Sequence, residues 1–181
     1  MKGDFTRFTH DPKKHYSRVL KQQGRVDLDA DWNENQEIQQ HLAETTNKDV
    51  IGLCGVPKRE KSSFSLKWED NDLKVSSGRI YVDGILCELE EGVSYYCQPD
   101  YPNPEGLKPI DGRTDLVYLD VWHRHITAVE DPDIREVALG GPDTTTRLKT
   151  VAQVKVLKKV EANNCEDEIK SGWPPVPALT K

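Results

Sequence analysis

Three aspartates spaced two residues apart, Asp27, Asp29 and Asp31, form the pattern in this chain that is closest to a calcium site. Acids at alternate positions begin the loop of an EF-hand, which also needs a glycine at its sixth position and a glutamate at its twelfth. A loop starting at Asp27 would place Trp32 and Ile38 there, so the pattern fails. We therefore predict no metal or other cofactor and assign the acids to a helix start, where carboxylates cap the first turn and favour the helix dipole.

Two histidines, His123 and His125, flank Arg124 on a predicted strand, so their side chains share one face. Such a pair can chelate a metal ion with a third ligand such as Glu130. No second group of ligands with metal-like spacing accompanies them in the sequence. The favoured interpretation is a pair of surface histidines.

Motifs of common catalytic sites are missing from the sequence. The segment VALGGPD, with Gly140 and Gly141, lacks the Lys-Ser/Thr of a phosphate-binding loop and follows a predicted helix rather than a strand. Neither G-x-S-x-G nor H-E-x-x-H occurs. Among 31 acidic residues some carboxylates will lie close together, but only a cleft and a perturbed pKa would make such a pair catalytic. We therefore expect a protein that is not an enzyme.

Two other function classes stay open as alternatives. A glycan-binding module would bring exposed aromatic rings together at a shallow groove, and Tyr95, Tyr96 and Tyr101 are the candidates for those rings. A polysaccharide hydrolase, the weaker alternative, would need two carboxylates facing each other across a cleft.

Composition argues against nucleic-acid and membrane partners. The 181 residues carry a net charge of -6, whereas phosphate contacts need clustered cations. No run of about 18 apolar residues is present, which predicts no direct membrane insertion. The N-terminus carries Lys2, Asp4 and Arg7 in place of an apolar signal region, so we expect synthesis in the cytoplasm.

Four cysteines have neither metal-like spacing nor the density of a disulfide scaffold. They are Cys54, Cys87, Cys97 and Cys165. We expect reduced thiols, with a bridge between Cys87 and Cys97 as the less favoured alternative, since the two flank a predicted pair of strands.

The first 57 residues predict an arm followed by one long polar helix. Residues 1–25 form the arm, the helix begins at Asp27 or Asp29, and Gly52 and Gly55 end it. Its thin apolar stripe includes Leu28, Trp32 and, in the middle, Asn35. Two interpretations stay open: the stripe is a seam between copies, in which a polar residue fixes register, or it lies on the chain's own sheet with Trp32 as anchor.

Period-two alternation and turn residues predict a β-rich domain over residues 58–162. The predicted strands cover residues 64–68, 73–75, 79–82, 85–89, 93–97, 116–127 and 147–160, with a short helix at 134–139. Asp83-Gly84 predicts a tight hairpin turn. Residues 163–181 read as a Pro-rich linker. The predicted fold class is α+β, a mainly antiparallel sheet or a small β-barrel behind the arm and helix.

Several segments resemble an uncharacterised N-terminal domain family of phage tail, baseplate and fibre proteins, found in phage-like contractile injection systems. The resemblance is carried by HDP, HYSRVL, QQGRV and LDADWNE near the N-terminus, by SGRIYVDGILCE (77–88), and by DPDIREVALGGPDTTTRLKTVAQVKVL (131–157). It implies a structural protein assembled in the bacterial cytoplasm into a particle that is either released or membrane-anchored. This chain departs from the family pattern at His10, where an aromatic residue is usual, and at Ala152, where a larger one is common.

The same resemblance implies the partners and the contact residues. A homo-oligomer, either a trimer or a hexamer, is expected, together with other baseplate, spike or tail proteins. The residues that match the family's opening pattern, and that we expect at the assembly interface, are Phe5, Phe8, Tyr16, Arg18, Arg25, Asp29, Trp32 and Asn33. Arg25 is also placed beside Asp27 and Asp29 for a charge-assisted contact.

Overall fold

The computed structural model describes residues 3–60, 62–102, 104–108 and 113–158, so the predicted linker at 163–181 lies outside the described residues. The chain divides into two compact units. Unit 1 comprises Met1–Ser65, Ser76–Gly92 and Val121–Val151, and unit 2 comprises Leu66–Val75, Val93–Asp120 and Ala152–Lys181. Each unit therefore draws on several separate segments of the chain.

The described residues contain one α-helix and eight strands, which confirms the α+β class. The helix is α1 (Asp29–Ile51), and the strands are β1 (Cys54–Gly55), β2 (Leu66–Glu69), β3 (Asp72–Val75), β4 (Gly78–Val82), β5 (Ile85–Leu89), β6 (Val93–Ser94), β7 (Leu116–Ile126) and β8 (Arg147–Leu157). The strands form sheets of order β1-β4-β5, β2-β3-β6 and β7-β8. Among the described residues no sheet closes, so the alternative of a small barrel is wrong. None of the described helices is long and apolar enough to cross a membrane.

Helix α1 extends for about 34 Å at 1.5 Å per residue. Its N-cap residue is Leu28, which makes no side-chain capping bond, so the predicted aspartate cap is wrong. The helix ends at Gly52, whose φ of 95° suits glycine and whose N–H donates to the Lys48 carbonyl over 2.9 Å. Only Ala30 and Ile38 of the helix are buried, and its other residues are half-buried or exposed.

The hairpin of β4 and β5 in unit 1 confirms the prediction from Asp83-Gly84. Val82 pairs with Ile85, and the two turn residues have φ values of 49° and 88°, the left-handed geometry of a tight hairpin turn. The turn lies against the C-terminal half of α1, where Asn47 Nδ2 donates to the Gly84 carbonyl over 3.0 Å.

Strands β2 and β6 differ from the prediction. A strand exists at Leu66–Glu69, but all four residues are exposed rather than half-buried. Phe64, predicted to belong to that strand, instead has a φ of 53° and lies in a turn. The strand predicted at 93–97 is also wrong beyond Ser94, because Tyr95–Cys97 forms one turn of 3-10 helix that is capped by the Ser94 hydroxyl.

The segment between β7 and β8 corrects the predicted helix at 134–139. It contains two separate 3-10 turns, Pro132–Ile134 and Val137–Leu139, because Arg135 and Glu136 adopt extended backbone between them. The Glu136 carboxylate caps the second turn by accepting from Ala138 N–H, a local bond that competes with a continuous helix. Asp131 caps the first of these turns, and Gly140 ends the second in the left-handed region.

The described cysteines, Cys54, Cys87 and Cys97, are free thiols, so the alternative of a Cys87–Cys97 bridge is wrong. Cys87 is buried, and this burial raises the pKa of its thiol to about 11.

Candidate functional site

The first part of the arm (here residues 3–25) is fastened to α1 by two threonines. Thr6 donates twice to the Asp29 carboxylate, from its N–H over 2.9 Å and from its hydroxyl over 2.5 Å. Thr9 donates its hydroxyl to the Glu34 carboxylate over 2.5 Å. Residues 6–9 of the arm therefore lie along the first turns of the helix. Asp29 and Glu34 act as acceptors for the arm rather than as a cap for the helix.

The arm then turns back and meets the same helix again. One 3-10 turn at Pro12–Lys14, followed by His15 in the left-handed region with a φ of 57°, precedes this second contact. Val19 N–H donates to the Asn35 side-chain oxygen over 3.1 Å, and Gln39 Nε2 donates to the Ser17 carbonyl over 3.1 Å. Asn35 therefore accepts a hydrogen bond from the arm of its own chain, whereas the interpretation of α1 as a seam places this residue between copies.

The predicted interface residues Phe5 and Phe8 lie together, with ring centroids 5.3 Å apart. Phe5 is half-buried and meets the His125 ring edge-on at 5.7 Å, whereas Phe8 is about half exposed. Edge-to-face pairs of this kind stabilise by about 0.5–1.5 kcal/mol beyond the area that they bury. Phe5 therefore anchors the start of the arm within unit 1, and Phe8 is the ring of the two that is open to a partner.

Tyr16 and Trp32 are both well exposed, at 57% and 61%. The predicted role of Trp32 as the anchor of α1 is wrong, because Ala30 and Ile38 are the buried residues of the helix. Helix α1 nevertheless packs on the chain's own strands, for example through Asn47 at the β4-β5 hairpin. Leu20 and Val26, which are not among the predicted interface residues, are more exposed still, at 71% and 84%. The sequence feature that points to Leu20 and Val26 is their apolar character in an otherwise polar segment. Together with Leu28 and Phe8, these side chains form what is called here the exposed apolar set.

The charged members of the predicted interface are open to solvent. Arg18 and Arg25 are exposed, and Asn33 is half-buried. The predicted contact of Arg25 with Asp27 or Asp29 is not formed: Asp27 pairs with Lys21 over 2.7 Å, and Asp29 holds Thr6. Within the part of the chain that the structure describes, Arg25 takes part in no ion pair.

A polar cluster around His123 attaches the middle of α1 to β7 and β8. His123 Nε2 lies 3.0 Å from Gln40 Nε2 and 3.3 Å from a Glu44 oxygen, and His123 Nδ1 lies 3.3 Å from the Thr150 hydroxyl. The interpretation of His123 and His125 as surface histidines is wrong, since both are half-buried. The described residues contain no group of three or more potential metal ligands.

His125 has a different environment from His123. Its Nε2 is buried and makes no hydrogen bond within the described part of the chain, and its ring lies against Phe5. Sequence spacing does not show which residues contact His123 or His125, because these contacts join residues far apart in the chain. The chemistry that this region offers is attachment through hydrogen bonds and exposed apolar rings.

We predict that the contact between Thr6 and Asp29 is lost in acid. The hydrogen bonds from Thr6 lower the pKa of the Asp29 carboxyl below its ordinary value of 3.8. A carboxyl with a lowered pKa stabilises the folded arm above its unfolded pKa, and this effect disappears as the pH falls through the folded pKa. The Thr6 amide resonance should therefore titrate below pH 3.8.

The variant Asp29→Ala removes the acceptor and should abolish this titration while α1 stays formed. Asp31→Ala is the matched control, because it deletes a neighbouring acid of the same first turn that is not bonded to Thr6. Titration of the Thr6 amide that persists in Asp29→Ala would contradict the assignment.

No curated protein and no solved structure gives a significant match to this chain. One family model does match, and it covers residues 1–173, which include the arm, α1 and all eight strands. The chain therefore belongs to the family of unknown function DUF6519.

Proposed function

We propose that this chain is a structural, non-enzymatic component of a phage-tail-like contractile injection system, as a baseplate, tail or fibre-base protein. The observation that carries the proposal is the exposed apolar set on the arm and α1, in particular Trp32 and Tyr16. Large apolar side chains that a polar protein leaves exposed, six of them here within residues 8–32, are candidates for an interaction surface. The resemblance of the first 40 residues to phage tail and fibre proteins gives the class of particle.

The arm supports this proposal because it is held in place before any partner binds. Hydrogen bonds from Thr6, Thr9 and Val19 attach it to α1 at three points. An ordered arm loses less conformational entropy on association than a free one, so more of the interaction free energy is left for affinity. Tyr and Trp suit this role, since they bury a large area with few rotatable bonds.

The charges around the exposed apolar set suit contact between copies of the chain. Arg18 and Arg25 are exposed on the arm, while Asp27 and Asp31 lie at the start of α1. In a head-to-tail contact, the basic arm of one copy meets the acidic helix start of the next. Such heterologous contacts close into rings when the rotation allows it, which agrees with the expected trimer or hexamer. Neighbouring baseplate or spike proteins would bind the assembled ring.

The mass of the purified protein in solution tests the proposal directly. Light scattering at two protein concentrations should give three or six times the 20.6 kDa of one chain, and the mass should fall at high salt if the arginines contribute. A monomer at both concentrations would overturn self-assembly. Electron microscopy of particle preparations, with an antibody against the chain, would then decide whether it binds a tail structure through a different protein.

A further inference from the structure

Unit 2 contains a pocket of about 360 Å³ that the assembly proposal does not use. Its size falls in the range of about 300–1,000 Å³ that is usual for small-ligand sites. Three tyrosines contribute to its wall together with charged side chains. The residues that carry the argument are Tyr95, Tyr101, Tyr118, Glu105, Lys155 and Lys158.

Gln98, which does not itself line the pocket, joins Tyr95 of its wall to strand β8. Its side chain is buried and bonds both backbone groups of Val154, accepting from the N–H over 2.7 Å and donating to the carbonyl over 2.9 Å. The same amide donates to the Tyr95 carbonyl over 3.0 Å. Tyr95 and strand β8 are therefore joined by a fully bonded buried amide, which is costly to break and makes the pocket preformed.

The aromatic rings present both faces and hydroxyl groups. Tyr95 is buried, and Tyr101 stands almost perpendicular to it, with centroids 6.3 Å apart and an interplanar angle of 86°. Tyr101 and Tyr118 are half-buried. Burial raises the pKa of the Tyr118 hydroxyl, and burial together with Tyr101 raises that of Tyr95 to about 12. The Tyr95 and Tyr118 hydroxyls therefore stay protonated at neutral pH, and a protonated hydroxyl can both donate and accept.

Both lysines of the pocket wall are paired with a carboxylate, Lys158 with Glu105 of the wall and Lys155 with Asp120 outside it. Lys155 Nζ lies 2.5 Å from an Asp120 oxygen, and Lys158 Nζ lies 3.0 Å from a Glu105 oxygen. Each lysine charge is therefore offset by a neighbouring carboxylate, and donor and acceptor groups lie side by side. A sugar hydroxyl, which donates and accepts at once, matches such a wall, whereas a phosphate or carboxylate ligand needs unbalanced cations.

We propose that this pocket binds a neutral saccharide of one or two rings. A pyranose has apolar C–H faces that fit against Tyr101 and Tyr118, and a rim of hydroxyls that the Lys158–Glu105 pair and the tyrosine hydroxyls can satisfy. The glycan-binding prediction from Tyr95, Tyr96 and Tyr101 is changed in two respects. Tyr95 is a buried support, and the Tyr96 hydroxyl is bonded to the Leu107 N–H over 2.7 Å, so Tyr118 takes its place as a contact.

Saturation-transfer NMR with the full chain tests this site. The probes are maltose, lactose, cellobiose and N,N′-diacetylchitobiose, each at about 10 mM, which reveals dissociation constants near 1 mM. At least one disaccharide should receive saturation at its ring protons. Tyr101→Ala should weaken that binding at least tenfold, and Tyr16→Ala should leave it unchanged, since Tyr16 is an exposed tyrosine of the arm and not of the pocket.

Tyr101 also contacts Tyr95, so Tyr101→Ala could unfold unit 2, and circular dichroism should accompany the binding measurement. Lys158→Ala decides the matter in that case, because Lys158 is a rim residue whose loss leaves the tyrosines in place, and it should also weaken binding. Absence of transfer to all four disaccharides would overturn the proposal. So would binding that is unchanged in both variants, or binding of adenosine monophosphate alone, which would indicate a stacked base.

Discussion

The variant Trp32→Ala is expected to stay folded and to lose self-association. Trp32 is 61% exposed and is not part of the buried core of unit 1, so its removal leaves no cavity there. In an interface, truncation of a central tryptophan costs about 2–4 kcal/mol. That corresponds to a weakening of the association by roughly 30- to 900-fold. The expected result is a monomer by light scattering at concentrations where the parent chain is a trimer or hexamer.

Trp68→Ala is the matched control for this experiment. Trp68 is also a partly exposed tryptophan, at 42%, but it lies on β2 in unit 2, outside the exposed apolar set. It should keep the oligomer intact. Equal loss of assembly in both variants would indicate a general effect of removing surface tryptophan. An intact oligomer in Trp32→Ala would contradict the assigned surface, because no other aromatic side chain of α1 is available to replace it.

Features set by local chemistry were predictable from the sequence. The turn at Asp83-Gly84, the end of α1 at Gly52 and the cap at Asp131 each depend on one or two residues with a strong conformational preference, and the structure has all three. The extent of β7 was also nearly correct, since alternation over many residues leaves little ambiguity. These signals act within a few residues of the position that they determine.

The contacts of the arm and of His123 were not predictable, because they join positions far apart in the chain. Thr6 meets Asp29, and His123 meets Glu44 on α1. Asp29 shows why this matters: its type and position suggest a helix cap, but a hydroxyl 23 residues earlier takes the carboxylate instead. A sequence pattern indicates which group can accept a hydrogen bond. Which donor lies within reach of that group depends on the tertiary structure.

The exposure of both faces of β2 was not predictable from the sequence for a related reason. Alternating apolar residues such as Leu66 and Trp68 predict one buried face, but burial requires another element to cover that face. The structure leaves both side chains more than a third exposed. The same limit applied to Trp32, whose spacing on α1 agrees with either a buried or an exposed stripe. The structure leaves Trp32 exposed, while Ile38 of the same helix is buried.

The variant Gly84→Ala is expected to detach α1 from the hairpin and to destabilise unit 1. Gly84 has a φ of 88°, which costs an alanine about 1–2 kcal/mol. A Cβ at this position would also overlap the backbone carbonyl of Glu44 in α1, which cannot move aside as a flexible side chain could. Overpacking of this kind adds roughly 1–3 kcal/mol. The hydrogen bond from Asn47 to the Gly84 carbonyl would be lost as the helix shifts.

Gly140→Ala separates the two contributions, because Gly140 has nearly the same φ, 87°, and no atom within 4 Å of an added Cβ. It should show the backbone cost alone. Urea unfolding followed by circular dichroism should therefore give a larger loss of stability for Gly84→Ala than for Gly140→Ala. Hydrogen exchange at the amides of α1 should rise in Gly84→Ala only. Equal losses in the two variants would mean that the hairpin turn does not support the helix. In that case the His123 cluster, which bonds Gln40 and Glu44, would hold α1 in place, and with it the arm that is bonded to α1.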